Sequence, residues 1–262
     1  MTTFFSYLPV LKHMLYADYL TFKGEYVNTL IDNLIWTCIN VVIMGYLLTG
    51  FGIRADFGLF TAATGGAVNC MFQVFPRAVS FLSDIIGNKV ITYETTLPIP
   101  SWLAIARVGF SDALQSFSVA IVAAPIGLLF VWDQFNAAHV APLWFISMLV
   151  ASAFFFGFFG LFLASLIKDM SKIRGIWMRV MFPLWFLGGF QFTWQVMYAK
   201  APLLAYVLLL NPFLYTMEGM RASVMGQAGS LPLPVCLTAT LSFTLVCGFI
   251  GVRQVTKRLD CV

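Results

Sequence analysis

The residues of this chain that could carry out acid–base or metal chemistry are few and are not arranged for it. His13 and His139 are far apart and lack the spacing of metal ligands. No Ser–His–Asp or paired-carboxylate arrangement stands out, and no G-x-x-x-x-G-K-[ST] stretch is present to bind ATP phosphates. We therefore expect this chain to have no catalytic residues, no metal site and no cofactor of its own.

One acid–base pair does have a spacing that brings its members together. Glu218 and Arg221 lie three residues apart, about one helical turn, in a stretch that begins with Asn211-Pro212 and contains Tyr215. An unpaired charge would be costly in a poorly hydrated segment. We therefore expect an ion pair that fixes this helix rather than a catalytic pair.

Polar side chains also recur on one face of an apolar segment near the N-terminus. Asn33, Thr37 and Asn40 follow the spacing i, i+4 and i+7, which indicates either hydrogen bonds to a neighbouring membrane helix or a polar stripe along a translocation path. Phe190 and Trp194 belong to a later aromatic cluster, which indicates either an interfacial belt or a lining for a lipid or sugar substrate. These five residues are the candidate substrate path.

The elements that must position these residues are membrane helices. The chain has 262 residues, of which 60% are hydrophobic and 10% charged, with a mean hydropathy of +0.89. Soluble domains average about 25% charged residues, and a spanning helix needs about 20 mostly apolar ones. We predict an all-α integral membrane protein with six transmembrane helices in one domain, residues 1–262. The spans are expected within residues 33–53, 57–76, 113–132, 134–167, 180–199 and 222–252.

The basic residues predict how the chain is oriented. Cytoplasmic flanks carry the excess of Lys and Arg, and with six spans and both termini inside only Arg54, Lys200 and Arg221 face outward. A seventh span at residues 201–217 would instead put the basic tail outside. We therefore expect residues 197–226 to form a re-entrant helical hairpin that enters from the outer side. The alternative is a pair of helices lying flat at the outer interface.

Two further segments are expected on the cytoplasmic side. Residues 4–24 predict an amphipathic helix on the inner leaflet, because apolar residues occupy one face of the helix and lysines and tyrosines occupy another. Residues 84–100 join the second and third spans and predict a short helix ended by Pro98 and Pro100. Such a helix suits docking into a soluble partner, although an ordinary loop would explain the segment as well.

Taken together, these features resemble the membrane subunit of type-2 ABC exporters, which includes permeases for polysaccharides, lipid-linked glycans and drugs. The resemblance covers the whole chain and is most specific in KDMSKI, FPLWFLGGFQF and NPFLYTMEGMR. The residues that correspond to the family motif after the hairpin are Asn211, Pro212, Tyr215, Glu218 and Arg221. Arg221 lies one residue beyond the family spacing.

The resemblance implies a homodimer, or a pseudo-dimer with a second permease, with two copies of an ABC ATP-binding subunit, which would bind ATP and Mg²⁺. It also implies a bacterial cytoplasmic membrane location, contact with membrane lipids and no nucleic-acid partner. The coupling segment to the ATPase would consist of Tyr93, Glu94, Thr95, Thr96 and Leu97. On this basis the expected function is ATP-driven export of a hydrophobic, lipid-linked or polysaccharide substrate. The alternatives are a multi-span lipid-substrate transferase and a membrane scaffold.

Overall fold

The computed structural model describes residues 2–52, 56–88, 90–94, 97–167 and 169–259, which form helices and turns with no β-strand. The all-α prediction is confirmed. Within the described residues the helices are α1 (Thr2–Val42), α2 (Leu48–Gly50), α3 (Phe57–Ala63), α4 (Gly65–Ser83), α5 (Val90–Glu94), α6 (Ser101–Leu129), α7 (Pro142–Leu166), α8 (Ile173–Ile176), α9 (Phe182–Phe186), α10 (Trp194–Lys200), α11 (Pro202–Leu208), α12 (Pro212–Met225) and α13 (Leu233–Leu259).

Four helices in the described part of the chain are long and apolar enough to cross a membrane. They are Tyr7–Gly50, Ser101–Leu129, Pro142–Leu166 and Leu233–Leu259. The pair α11 and α12 would add a fifth if it is counted as one span, although the two helices are bent by 95°. These helices cover the predicted first, third, fourth and sixth spans. The predicted second span is interrupted at Thr64, between α3 and α4.

The N-terminal helix does not break where the sequence suggested a boundary. A π-helical turn at Ile43–Leu47 joins α1 to α2, and the 44 residues from Tyr7 to Gly50 are continuous. At 1.5 Å per residue this helix is roughly 66 Å long, about twice the thickness of a hydrocarbon core. Residues 4–24 are therefore the first half of a longer helix, and their interfacial placement stays a prediction.

The prediction of one unbroken fifth span at residues 180–199 is wrong. A π-helical turn at Trp177–Met181 connects α8 to α9, which ends at Phe186, and a non-helical turn follows until α10 begins at Trp194. Gly189 in this turn has a φ of 77°, a backbone conformation that residues with a Cβ rarely adopt. The uncharged run is apolar throughout, so its composition gave no sign of the break.

Helix α7 is the centre of the bundle and packs against α4, α6, α12 and α13. Glycine permits the closest approach to α6, since a Cβ on Gly157 would lie 2.6 Å from the backbone oxygen of Gly109. On α13, a Cβ on Gly251 would lie 3.1 Å from backbone atoms of Phe162. Small residues at such contacts are typical of membrane helices, where association depends on close packing rather than on the hydrophobic effect.

Each end of the bundle has its own apolar cluster. Around the Leu166 end of α7, the cluster joins α4, α5, α6 and α13 through buried residues that include Leu82, Ile91, Ile105 and Val255. At the Pro142 end, the cluster joins α1, α3, the turn after α6 and α12 through Val41, Leu59, Ala63, Val131 and Val224. The segments predicted to be cytoplasmic therefore meet at one end of the bundle.

Candidate functional site

The ion pair predicted in α12 is present and buried. The Nη1 atom of Arg221 lies 3.1 Å from Oε1 of Glu218, and the Glu218 side chain has no solvent exposure. The carboxylate also accepts hydrogen bonds from the backbone nitrogens of Trp194 and Leu231, each at 3.0 Å. Glu218 thus joins α12 to the beginning of α10 and to the segment before α13.

Arg221 binds the turn that interrupts the predicted fifth span. Its guanidinium donates to the backbone oxygens of Gly189 and Phe192, and it lies over the ring of Phe60, 3.7 Å from the ring centroid. A planar guanidinium can satisfy all of these contacts at once, whereas a lysine ammonium would lose the planar stacking. The pair therefore holds four separate parts of the chain together, and its geometry indicates a structural role.

The remaining residues of the motif define how α12 begins. The side chain of Asn211 accepts a hydrogen bond from the backbone nitrogen of Phe213 at 3.0 Å and donates to the Leu184 oxygen at 2.7 Å. Pro212 occupies the first helical position, where a missing N–H has no cost. The Tyr215 hydroxyl donates to the Leu209 oxygen at 2.8 Å. Together they cap the helix and fix the corner that follows α11.

Helix α12 lies along the first half of α7 and runs antiparallel to it. Phe213, near its beginning, packs edge-on against Phe155, Phe156 and Phe159, which lie just past the midpoint of α7. Near its end, the Ser223 oxygen accepts a hydrogen bond from the nitrogen of Ala141, the residue before α7. The helix therefore extends from the middle of α7 to its Pro142 end.

At the opposite end of the bundle, Arg107 on α6 connects the predicted coupling segment to α1. Its guanidinium lies 2.6 Å from Oδ1 of Asp18 and 2.6 Å from Oε2 of Glu94, and it also donates to the Met14 oxygen. Two carboxylates and one guanidinium thus fix α5 against two long helices. The sequence analysis did not identify Asp18 or Arg107 as site residues, because their partners are many residues away.

The members of the coupling segment have different environments. Tyr93 is 69% exposed, whereas Leu97 packs against an apolar cluster that contains Met14, Ile99 and Ala104. Burial raises the pKa of Glu94 above its ordinary value, although the neighbouring Arg107 acts in the opposite direction. The ion pair with Arg107 fixes the position of α5 against α6. Thr95 and Thr96 lie outside the described residues.

The polar stripe of α1 faces a second polar stripe on α4. Asn69, Gln73 and Arg77 of α4 are spaced i, i+4 and i+8, and the Thr37 hydroxyl donates to the Asn69 side-chain oxygen at 3.3 Å. Between the stripes lies a cavity of about 440 Å³. Its lining is Glu25, Thr29, Asp32, Asn33, Trp36, Phe72, Gln73, Pro76, Arg77 and Ser80. The i, i+4 spacing on α4 is a signal that could have identified this partner from the sequence.

An aromatic cluster forms part of the cavity wall, since Trp36 and Phe72 both line the cavity. The Trp36 ring centroid lies 4.6 Å from that of Phe72, and the ring of Trp185 lies 5.5 Å from Phe72. Thr37, Asn40 and Phe190 line a separate pocket of only about 20 Å³, which is room for about one water molecule. Four of the five candidate path residues therefore lie along the α1–α4 contact.

The fifth candidate, Trp194, lies apart from these cavities. Its indole nitrogen donates to the Ala205 oxygen at 2.8 Å, and its ring stacks on Tyr198 with centroids 5.0 Å apart. Trp194 therefore packs α10 against α11, and no residue that lines the two cavities contacts it in these interactions.

Comparison with known families adds a finding that the geometry alone does not give. The model of the ABC-2 type transporter family matches residues 9–225 of the chain. The chain belongs to the ABC-2 type transporter family. No curated protein matches the chain.

Membership of the ABC-2 family identifies the chain as a membrane-embedded permease component of an ABC transporter. Such a component does not hydrolyse ATP itself, and the family implies a separate ABC ATP-binding partner. The long apolar helices agree with a multi-pass membrane protein. The resemblance stated from the sequence is confirmed at this level.

Proposed function

We propose that this permease exports a hydrophobic, lipid-linked or polysaccharide substrate outward across a bacterial cytoplasmic membrane. Two copies pair with each other and with two ATP-binding subunits, which bind ATP and Mg²⁺. The observation that carries this proposal is the polar cavity between α1 and α4, which adjoins an aromatic cluster of Trp36, Phe72 and Trp185. Polar groups in such a cavity can contact hydroxyl or phosphate groups, while the aromatic rings block passage until the helices move.

The proposed topology has six crossings with both termini in the cytoplasm. The two crossings that are not single long helices consist of α3–α4 and of α8–α9 together with the turn that leads to Trp194, and α11–α12 form a re-entrant hairpin. The support for the hairpin is that α12 extends only from the middle of α7 to its Pro142 end, through Phe213 and Ser223. Backbone that turns at this depth needs partners for its polar groups, and here the Tyr215 hydroxyl donates to the Leu209 oxygen.

The proposed coupling site is the segment from Tyr93 to Leu97. The ion pairs of Arg107 with Glu94 and Asp18 give this segment a fixed position relative to α1 and α6. A movement imposed on α5 by a partner would therefore reach α1, which lines the cavity. In this account Tyr93 contacts the ATP-binding subunit, whereas Glu94 positions the segment.

The first test is to isolate the tagged chain with its bound partner from native membranes. We expect an ABC ATP-binding protein to copurify, and mass spectrometry to find a lipid or glycan bound to the complex. Gln73→Trp should reduce that bound molecule by filling the α1–α4 cavity, whereas Gln115→Trp, in a neighbouring cavity, should not. Isolation of the chain without any ATP-binding protein would refute the proposal.

One observation keeps the transferase alternative open to test. In the described part of the chain, a second cavity of about 310 Å³ is lined by five carboxylates, namely Asp18, Glu25, Asp84, Glu94 and Asp112. Two of these are engaged by Arg107, which favours a structural role. A transferase would convert a lipid substrate without ATP or a partner subunit, and the exporter would not.

A further inference from the structure

A lateral groove between α6, α7 and α13 does not belong to the substrate path. It has a volume of about 550 Å³, and none of the residues that line it belongs to α12. Most of its lining is apolar, and two cations lie at one end. The residues that line it are Trp102, Ala106, Phe158, Thr244, Leu245, Gly248, Phe249, Val252, Arg253, Thr256 and Lys257.

Gly109 on α6 and Gly248 on α13 leave room for the Phe158 ring, which lines the groove. Phe158 of α7 forms its floor, and a Cβ on Gly109 or Gly248 would lie 2.7 or 3.1 Å from this ring. Larger residues at these two positions would collide with Phe158. Leu245 and Phe249 form the rim and are 73% and 67% exposed. The groove is therefore a surface feature of the packed bundle, and its rim is free to contact an apolar chain.

Two cations mark the end of the groove nearest the C-terminus of α13. Arg253 and Lys257 are one helical turn apart and exposed, and the residues lining the groove include no acid. Arg258, by contrast, points toward α7 and donates to the Ile167 oxygen at 2.7 Å. Trp102 lies across the groove at the same end, as expected for an aromatic residue at a membrane interface.

The length of the groove matches one membrane leaflet. From Leu245 to Arg253 the helix rises by roughly 12 Å, and half of a hydrocarbon core is about 15 Å thick. An acyl chain placed along Leu245 and Phe249 would thus put its headgroup beside Arg253. A second copy that packed groove to groove about a two-fold axis is a poorer occupant, because it would bring four cations together at a lining without an acid.

We propose that this groove binds one anionic phospholipid of the cytoplasmic leaflet. The acyl chain lies over Phe158 between Ala106 and Phe249, and the phosphate lies between Arg253 and Lys257. Basic pockets between membrane helices on the cytoplasmic side suit anionic headgroups, whereas a zwitterionic lipid would bring its own cation next to this pair. The inference depends on the orientation proposed above, in which the end of α13 is cytoplasmic.

The test is a lipid titration of the purified full-length chain in detergent, followed by native mass spectrometry. Phosphatidylglycerol is the probe and phosphatidylcholine its neutral comparison. The double substitution Arg253→Gln with Lys257→Gln should weaken the tightest phosphatidylglycerol binding by roughly thirtyfold, as expected for two surface cations. The matched control, Lys172→Gln with Arg174→Gln, removes the same charge from exposed positions outside the groove and should leave that binding within about twofold of the original value.

Three results would overturn this assignment. The groove variant could bind phosphatidylglycerol as tightly as the unchanged chain, or phosphatidylcholine could bind equally well. A Leu245→Cys variant could form a disulfide-linked dimer, which would assign the groove to a second copy. Because the titration needs no ATP-binding subunit and has no membrane sidedness, its failure would leave the exporter proposal and its topology untouched.

Discussion

Arg221 shows why a charge in the apolar part of this protein is tolerated. Its guanidinium contacts the Glu218 carboxylate on its own helix, two backbone oxygens of the turn after α9 and an aromatic ring of α3. Removing one member of a buried ion pair leaves the other charge uncompensated, at a cost of about 3–5 kcal/mol. The positions that gather around Arg221 should therefore be sensitive to single substitutions.

We expect either Arg221→Met or Glu218→Gln to destabilise the purified protein by about 3–5 kcal/mol. The double variant should recover only part of this loss, because Glu218 also accepts hydrogen bonds from Trp194 and Leu231. Thermal unfolding, monitored by size-exclusion chromatography, measures the loss of stability in each variant. Single variants as stable as the unchanged chain would contradict a structural role for the pair.

Asn211 should also matter more than an exposed residue that makes a similar cap. Asn211→Ala removes a helix cap, worth about 1 kcal/mol, and leaves the Leu184 carbonyl without its donor, for a total loss of roughly 2–4 kcal/mol. The control is Asn136→Ala, which removes a comparable hydrogen bond to Ala138 at an exposed turn. Its cost should stay below about 1 kcal/mol. Equal losses in the same unfolding assay would argue against a special role for Asn211.

Single-residue chemistry was only partly predictable from the sequence. The spacing of Glu218 and Arg221 indicated their pairing, which the structure confirms. Their further partners, Phe60 and Gly189, come from elements distant in the chain, and local spacing carries no information about such contacts. Arg107 was likewise assigned only to the cytoplasmic flank, although it binds Asp18 and Glu94.

At the scale of elements, two residues of α5 have different proposed roles. Tyr93 contacts the ATP-binding subunit, whereas Glu94 holds α5 in position. Tyr93→Ala should lower ATPase activity of the assembled transporter severalfold without changing the stability of the chain, since the side chain is largely exposed. Glu94→Gln should lower both, because it breaks the ion pair with Arg107. ATPase assays and unfolding assays on both variants measure the changes in activity and in stability. Unchanged ATPase activity in both would remove α5 from the coupling site.

The elements themselves were predictable where an apolar run continued without a turn. The runs that contain α6, α7 and α13 are long and apolar, and each became one helix. The run at residues 180–199 has the same composition, yet it breaks after Phe186. What stabilises the break is Arg221, which binds the Gly189 and Phe192 oxygens that the turn leaves without helical partners. That stabilisation depends on tertiary contacts and could not be derived from the run alone.

For the whole molecule, the topology proposal places the segment between α12 and α13 outside. Gln227 is exposed there, and a cysteine in its place should react with an impermeant thiol reagent in intact cells. The background should have the natural cysteines replaced. Ser171→Cys, in the exposed loop after α7, is the control and should react only after the membrane is permeabilised. The reverse pattern would invert the orientation and would place the segment from Tyr93 to Leu97 outside, away from an ATP-binding subunit in the cytoplasm.

The central claim is that this permease is driven by an ATP-binding subunit that docks at the segment from Tyr93 to Leu97. A photoreactive amino acid at Tyr93 tests it most directly, with Trp132, 63% exposed at the other end of the bundle, as the control position. After irradiation of the isolated complex, the Tyr93 position should crosslink to the ATP-binding subunit and the Trp132 position should not. A crosslink from Trp132, or none from Tyr93 while the subunit is bound, would contradict the account.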